Sequence, residues 1–185
     1  KLDQEAQKRA TSIYLVDRTI PMLPEVLSDD LCSLNEQEDK LTFSAIFTFS
    51  FESQKLKLVD EWFGRTVIHS DKRFSYEQVQ EILDAKSGQF YEELNQVNKI
   101  AYKLRAEKMQ NGAITFDRDE IKFKLDETGH PVEVIKKHRT DSHLLVEDFM
   151  LLANRRVAEF VSKIVQNADK KFIYRIHDLP DREKL

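Results

Sequence analysis

The side chains with the clearest chemical capacity stand on one polar line. His143, Glu147 and Asn154 are spaced four and seven residues apart. They fall inside a run whose apolar residues, among them Val146, Met150, Ala153, Val157 and Phe160, recur at helical intervals. An imidazole and a carboxylate beside such a face can hold the hydroxyl groups of a ligand, can ligate a metal, or can pair as plain i,i+4 neighbours. Spacing leaves all three open. Tyr14, Tyr76 and Phe116 stand at the start or end of predicted elements, where a ring can stack on a nucleobase or equally pack into a core. Asp29-Asp30 is an acid pair with no third ligand at a useful spacing, so a surface or helix-cap role is preferred to metal binding. His177-Asp178 could act as an acid-base pair, local hydrogen bonding near a strand end being the simpler reading. The sequence contains no Gly-rich phosphate loop, no Ser-His-Asp spacing and no Cys/His metal box.

These side chains need elements to position them. Helical spacing covers the N-terminal arm to about Arg9. Residues 11–34, TSIYLVDRTIPMLPEVLSDDLCSL, read as a strand over 12–20, a Pro-bracketed turn over 21–24 and a short helix. Alternating β-branched and aromatic residues predict strands over 41–51 and 57–69, joined as a hairpin through the polar stretch 52–55. Ser75 opens a helix that Ser87-Gly88 breaks, and a longer helix follows to about Met109, stopped by Asn111-Gly112. Strand-like pieces come next at 113–116, then 121–125 paired with 132–135. The last helix runs from Thr140-Asp141 to about Val165, and 172–176 reads as a final strand. Helices and hairpins alternate without a strand-helix-strand rhythm, so the expected class is α+β, a mixed and mostly antiparallel sheet with flanking helices.

Composition bounds the possibilities. The chain has 185 residues, 41% of them apolar and 10% aromatic, which fits a globular unit. No run approaches the ~20 apolar residues of a membrane span, and the opening residues, which lack a charged-then-apolar pattern, lead one to expect no secretion leader. It begins at Lys1 with a helical composition and no start signal, as expected of an excised segment. The lone cysteine, Cys32, cannot form an internal disulfide; it is expected to be a small buried residue in a reducing, cytoplasmic compartment. A formal charge of −4 argues against bulk electrostatic binding of nucleic acid. The basic clusters Lys136-Lys137-His138-Arg139, Arg155-Arg156 and Lys170-Lys171 read as solvated edges.

Five longer segments carry more information than any spacing. They are LDQEAQKRATSIYLVDRTIPMLPEVLSDDLCSL, EWFGRTVIHSDKRFSYEQV, NGAITFDRDEIKF, DSHLLVEDFMLLANRRVAEFV and FIYRIHDLPDREKL. In order and spacing they resemble the ribonuclease II and ribonuclease R family of 3′-to-5′ exoribonucleases, and RIHDLP with HSDKRFSYEQV is more similar to ribonuclease R. The resemblance implies that residues 1–185 are the central part of an RNB-type catalytic domain from a bacterial enzyme. Such enzymes thread single-stranded RNA 3′ end first and release nucleoside 5′-monophosphates. Two Mg²⁺ ions about 4 Å apart activate the water, and a downstream arginine offsets charge on the phosphate.

The same resemblance implies that Tyr14 holds RNA near its 3′ end, that Tyr76 and Glu147 meet a ribose, and that Phe116 stacks on a terminal base. It also implies that the metal-binding aspartates precede Lys1 and that the arginine follows Leu185. The Mg²⁺ ligands are then not in this chain, nor are the family's usual cold-shock and S1-type modules, and the chain alone is expected to be inactive. A non-catalytic RNA-binding relative and a protein-interaction module are the competing expectations.

Overall fold

A computed structural model of the chain describes residues 1–52, 55–114, 120–137, 139–165 and 172–174. It has the expected α+β class, with helices and antiparallel strands. Among the described residues the strands form three separate two-stranded ladders, and one isolated parallel bridge joins Glu36 to Ser70.

Helix α1 (Leu2–Arg9) opens the chain. Residues 12–20 are not the single strand that their alternation predicts. The chain reverses at Asp17-Arg18, where the Leu15 N–H donates to the Arg18 carbonyl at 2.8 Å. Strands β1 (Ile13–Tyr14) and β2 (Thr19–Ile20) therefore pair with each other. A period of two looks the same whether a strand continues or doubles back, so alternation could not reveal the turn. A π-helical turn, Val26–Leu31, takes the place of the short helix and carries Asp29 and Asp30. Cys32 caps that turn through its N–H to the Leu27 carbonyl and is exposed, not buried.

Strands β3 (Asp39–Glu52) and β4 (Lys55–His69) form the long hairpin, in register from Asp39 opposite His69, with one irregularity after Thr48. Helix α2 (Tyr76–Ala85) starts at a reciprocal cap. The Gln78 N–H donates to Ser75 Oγ at 3.2 Å, and the Ser75 N–H to Gln78 Oε1 at 2.8 Å. Lys86 in the left-handed region and Gly88 at φ +123° end it. Helix α3 (Tyr91–Gln110) stops at Asn111-Gly112, with Gly112 at φ +89°. Strands β5 (Glu120–Leu125) and β6 (Pro131–Lys137) make the third ladder, and helix α4 (Asp141–Val165) closes the order. Residues 113–114 and 172–174 form no strand; the remainder of those two expected strands lies outside the described residues.

Helix α4 is the hub. It packs against α3, and Leu152 of α4 and Ala101 of α3 are the buried apolar residues among those described. Beside them Asp148, its side chain only 5% exposed, accepts from Arg105 Nε at 2.9 Å and lies 3.7 Å from Lys108 Nζ. A carboxylate taken out of water needs such partners, and stripping them would leave an uncompensated charge between the helices. Further along its length α4 meets β4. The Phe160 and Phe63 rings lie 4.8 Å apart, and Arg156 forks onto Glu61 with bonds of 2.6 and 2.7 Å. Arg156 is thus a structural clamp and not the solvated edge its neighbours suggested. Further along the same face of the hairpin Leu41, Phe43 and Val67 are open to water, Leu41 at 88%.

The clamp makes the joint acid-sensitive. Hydrogen bonding to Arg156 holds the Glu61 carboxyl below its ordinary value of 4.5. A depressed carboxylate contributes its stability above the unfolded value and loses it as pH falls through the folded one. The melting temperature of the intact protein should therefore fall more steeply on acidification from about pH 5 to about pH 3 than that of Glu61→Gln. Parallel curves for the two proteins would remove the clamp from the pH response.

Candidate nucleic-acid interface

Three local devices bring distant residues to one place. The reciprocal cap at Ser75 fixes Tyr76 as the first residue of α2. At the start of α4 the Thr140 carbonyl accepts from the N–H groups of His143 and Leu144, both at 3.1 Å. The Thr140 hydroxyl lies 2.8 Å from Ser142 Oγ and 2.7 Å from His143 Nδ1. Finally, the Ser142 N–H donates to Gln80 Oε1 at 3.2 Å, tying the first turn of α4 to α2.

The outcome is a stacked pair. The Tyr76 and His143 rings lie 4.1 Å apart and 14° from parallel. One helical turn beyond His143, Glu147 receives a hydrogen bond from Arg139 Nη2 through its Oε2. Tyr76, Arg139, His143 and Glu147, with Val146, Met150 and Leu151, line an open cleft of about 430 Å³. It presents an acceptor carboxylate, a guanidinium and an aromatic ring together with apolar side chains. Such a set suits a ligand that is part sugar, part ring and part anion.

Of the residues singled out in the sequence, Tyr76, His143 and Glu147 come together here. Tyr14 is 81% exposed on β1 and is not among the residues lining this cleft. Phe116 and His177-Asp178 lie outside the described residues. Asn154 shares the polar line of α4 but lines a second cavity with Phe43, Ala45 and Phe172. On the π-helical turn, Lys40 Nζ donates to the Asp30 carbonyl at 3.0 Å and lies 3.6 Å from its carboxylate. Among the described residues no three His, Cys, Asp or Glu side chains converge, so those residues do not fit a two-metal centre.

Sequence reasoning missed Arg139 and the Tyr76–His143 stack. Arg139 looked like one member of a solvated basic edge, yet it reaches Glu147 across the start of α4. It precedes the helix, so helical periodicity carries no signal for it. The stack joins two helices far apart in sequence, and no local pattern encodes it.

The RNB domain family matches residues 1–185, and the chain belongs to that exoribonuclease family. Ribonuclease R of Thermotoga maritima is 38% identical over 100% of the chain and 26% of its own length. DIS3-like exonuclease 2 of Schizosaccharomyces pombe is 35% identical over 100% of the chain and 21% of its own length. The inactive exonuclease DIS3L2 of Arabidopsis thaliana is also 35% identical over 100% of the chain and 18% of its own length. The chain thus spans about a quarter or less of these relatives. The fold matches Mycoplasma genitalium RNase R in complex with ribose methylated single-stranded RNA with a TM-score of 0.78 at 28% identity, over 88% of this chain and 26% of that one. No helix among the described residues is long and apolar enough to cross a membrane.

Proposed function

We propose that this chain forms one wall of the RNA channel in a bacterial, ribonuclease R-like 3′-to-5′ exoribonuclease. The parent protein would hydrolyse single-stranded RNA processively to nucleoside 5′-monophosphates in the cytoplasm. The observation that carries this reading is the meeting of Tyr76 and Glu147 in one open cleft. Glu147 beside a guanidinium is an ionised, acceptor-only group, so a ribose 2′-hydroxyl can donate to it and a deoxyribose cannot. Tyr76, held flat against His143, offers a fixed edge beside that acceptor. In the same reading Tyr14 holds the strand near its 3′ end and Phe116 stacks on the terminal base. The 38% identity to a bacterial ribonuclease R supports the assignment. The Mg²⁺ ions are held by aspartates elsewhere in the parent, and no bond-breaking step is assigned to residues of this chain.

The intact parent, given single-stranded RNA labelled uniformly along its length, should release labelled nucleoside 5′-monophosphates without long intermediates, and EDTA should stop it. RNA bound without any release would favour a second reading, a non-catalytic RNA-binding relative. The 35% identity to an inactive exonuclease keeps that reading open to test. Failure to bind single-stranded RNA would remove both.

A further inference from the structure

We infer that Arg139 is a phosphate-contacting, specificity-determining residue of this cleft. With RNA bound, its guanidinium stays beside Glu147 and turns its remaining N–H donors to the phosphodiester next to the ribose that Glu147 receives. The inference rests on the reading of the cleft as an RNA site.

Three observations carry it. First, the cleft holds a carboxylate, and the chain has a formal charge of −4. A polyanion approaching Glu147 is repelled unless a cation stands with it, and among the described residues lining the cleft Arg139 is the permanent cation. Second, the Arg139 side chain is 37% exposed, and its partner among the described residues is Glu147, reached through Nη2. The guanidinium is a planar fork, so donors on its other edge are left to engage a second anion. Third, Arg139 precedes α4, whose first accepting carbonyl belongs to Thr140. Its side chain can re-aim without breaking a helical hydrogen bond.

Nucleotide chemistry supplies the remaining link. The 2′-hydroxyl and the 3′-phosphate sit on adjacent ribose carbons. A carboxylate that reaches the first therefore brings a guanidinium at its side within reach of the second. Arg139 and Glu147 read hydroxyl and phosphate as one unit, which neither can do alone.

The test is equilibrium binding of a fluorescent single-stranded RNA to the full-length parent in EDTA, over a series of salt concentrations. Losing one phosphate contact to a single strand lowers the slope of log K against log salt by about 0.7. Arg139→Gln should show that loss. Arg139→Lys keeps the charge without the planar fork, so it should keep the slope while losing part of the preference for RNA over DNA. Neutral methylphosphonate linkages, placed one at a time, should weaken wild-type binding at a position where Arg139→Gln is indifferent. An unchanged slope in Arg139→Gln, with the methylphosphonate penalty retained, overturns the role of Arg139 while leaving the cleft an RNA site. Should the wild-type protein bind no RNA, the reading of the cleft falls, and this inference with it.

Discussion

Purified as 185 residues and given single-stranded RNA with Mg²⁺, the chain is expected to release no nucleoside 5′-monophosphate. Hydrolysis by two metal ions needs several carboxylates converging on one point. Among the described residues no such group exists, and the Asp29-Asp30 pair sits on a π-helical turn where Lys40 engages Asp30. The intact parent is the positive control, since its aspartates would complete the centre. The difference should be close to all-or-none. Mg²⁺-dependent turnover by the isolated chain, surviving repurification and absent from a mock preparation, would sink the assignment of the metal ligands to the rest of the parent.

Glu147→Ala in the intact parent should compress the ratio of RNA to DNA degradation. A hydrogen bond to a charged group contributes roughly 1.5–3 kcal/mol, or about ten- to a hundredfold. Glu147 is partly open to water, which sets the expectation at about tenfold. The change should fall on discrimination more than on affinity. Removing the carboxylate frees Arg139 to meet the phosphates of either polymer, so DNA binding should be kept or strengthened. An unchanged ratio of the two rates would take Glu147 out of ribose recognition. A fall in both rates by the same factor would mark a general defect in binding or folding.

Local signals in the sequence were legible and non-local ones were not. Ser75 announced α2 because a serine side chain can accept from an orphaned N–H at a helix start, and the structure adds Gln78 as its reciprocal partner. Asn111-Gly112 announced the end of α3 because glycine tolerates the positive φ found there. The long hairpin was readable from its alternation, and the polar line of α4 from its helical period. Three pairings stayed hidden: Arg139 with Glu147, Tyr76 with His143, and Arg156 with Glu61. Each joins a residue to a partner on another element or across a helix start, where no period applies. The doubling back of residues 12–20 was hidden for a different reason, since Asp17-Arg18 carries neither glycine nor proline to mark the turn. Of the residues lining the cleft, the resemblance to the family pointed to Tyr76 and Glu147, while Arg139 had to be found in space.

The apolar flank formed by Leu41, Phe43 and Val67 has a consequence for biosynthesis. Covering a large aliphatic or aromatic side chain fully is worth about 1.5–3 kcal/mol, and it matters little which apolar surface does the covering. A nascent polypeptide that stalls once this hairpin has left the ribosome would offer that flank to chaperones and to neighbouring chains alike. Recombinant expression of these residues by themselves is for that reason a contest with inclusion bodies, better met with a solubilising fusion than with stabilising mutations.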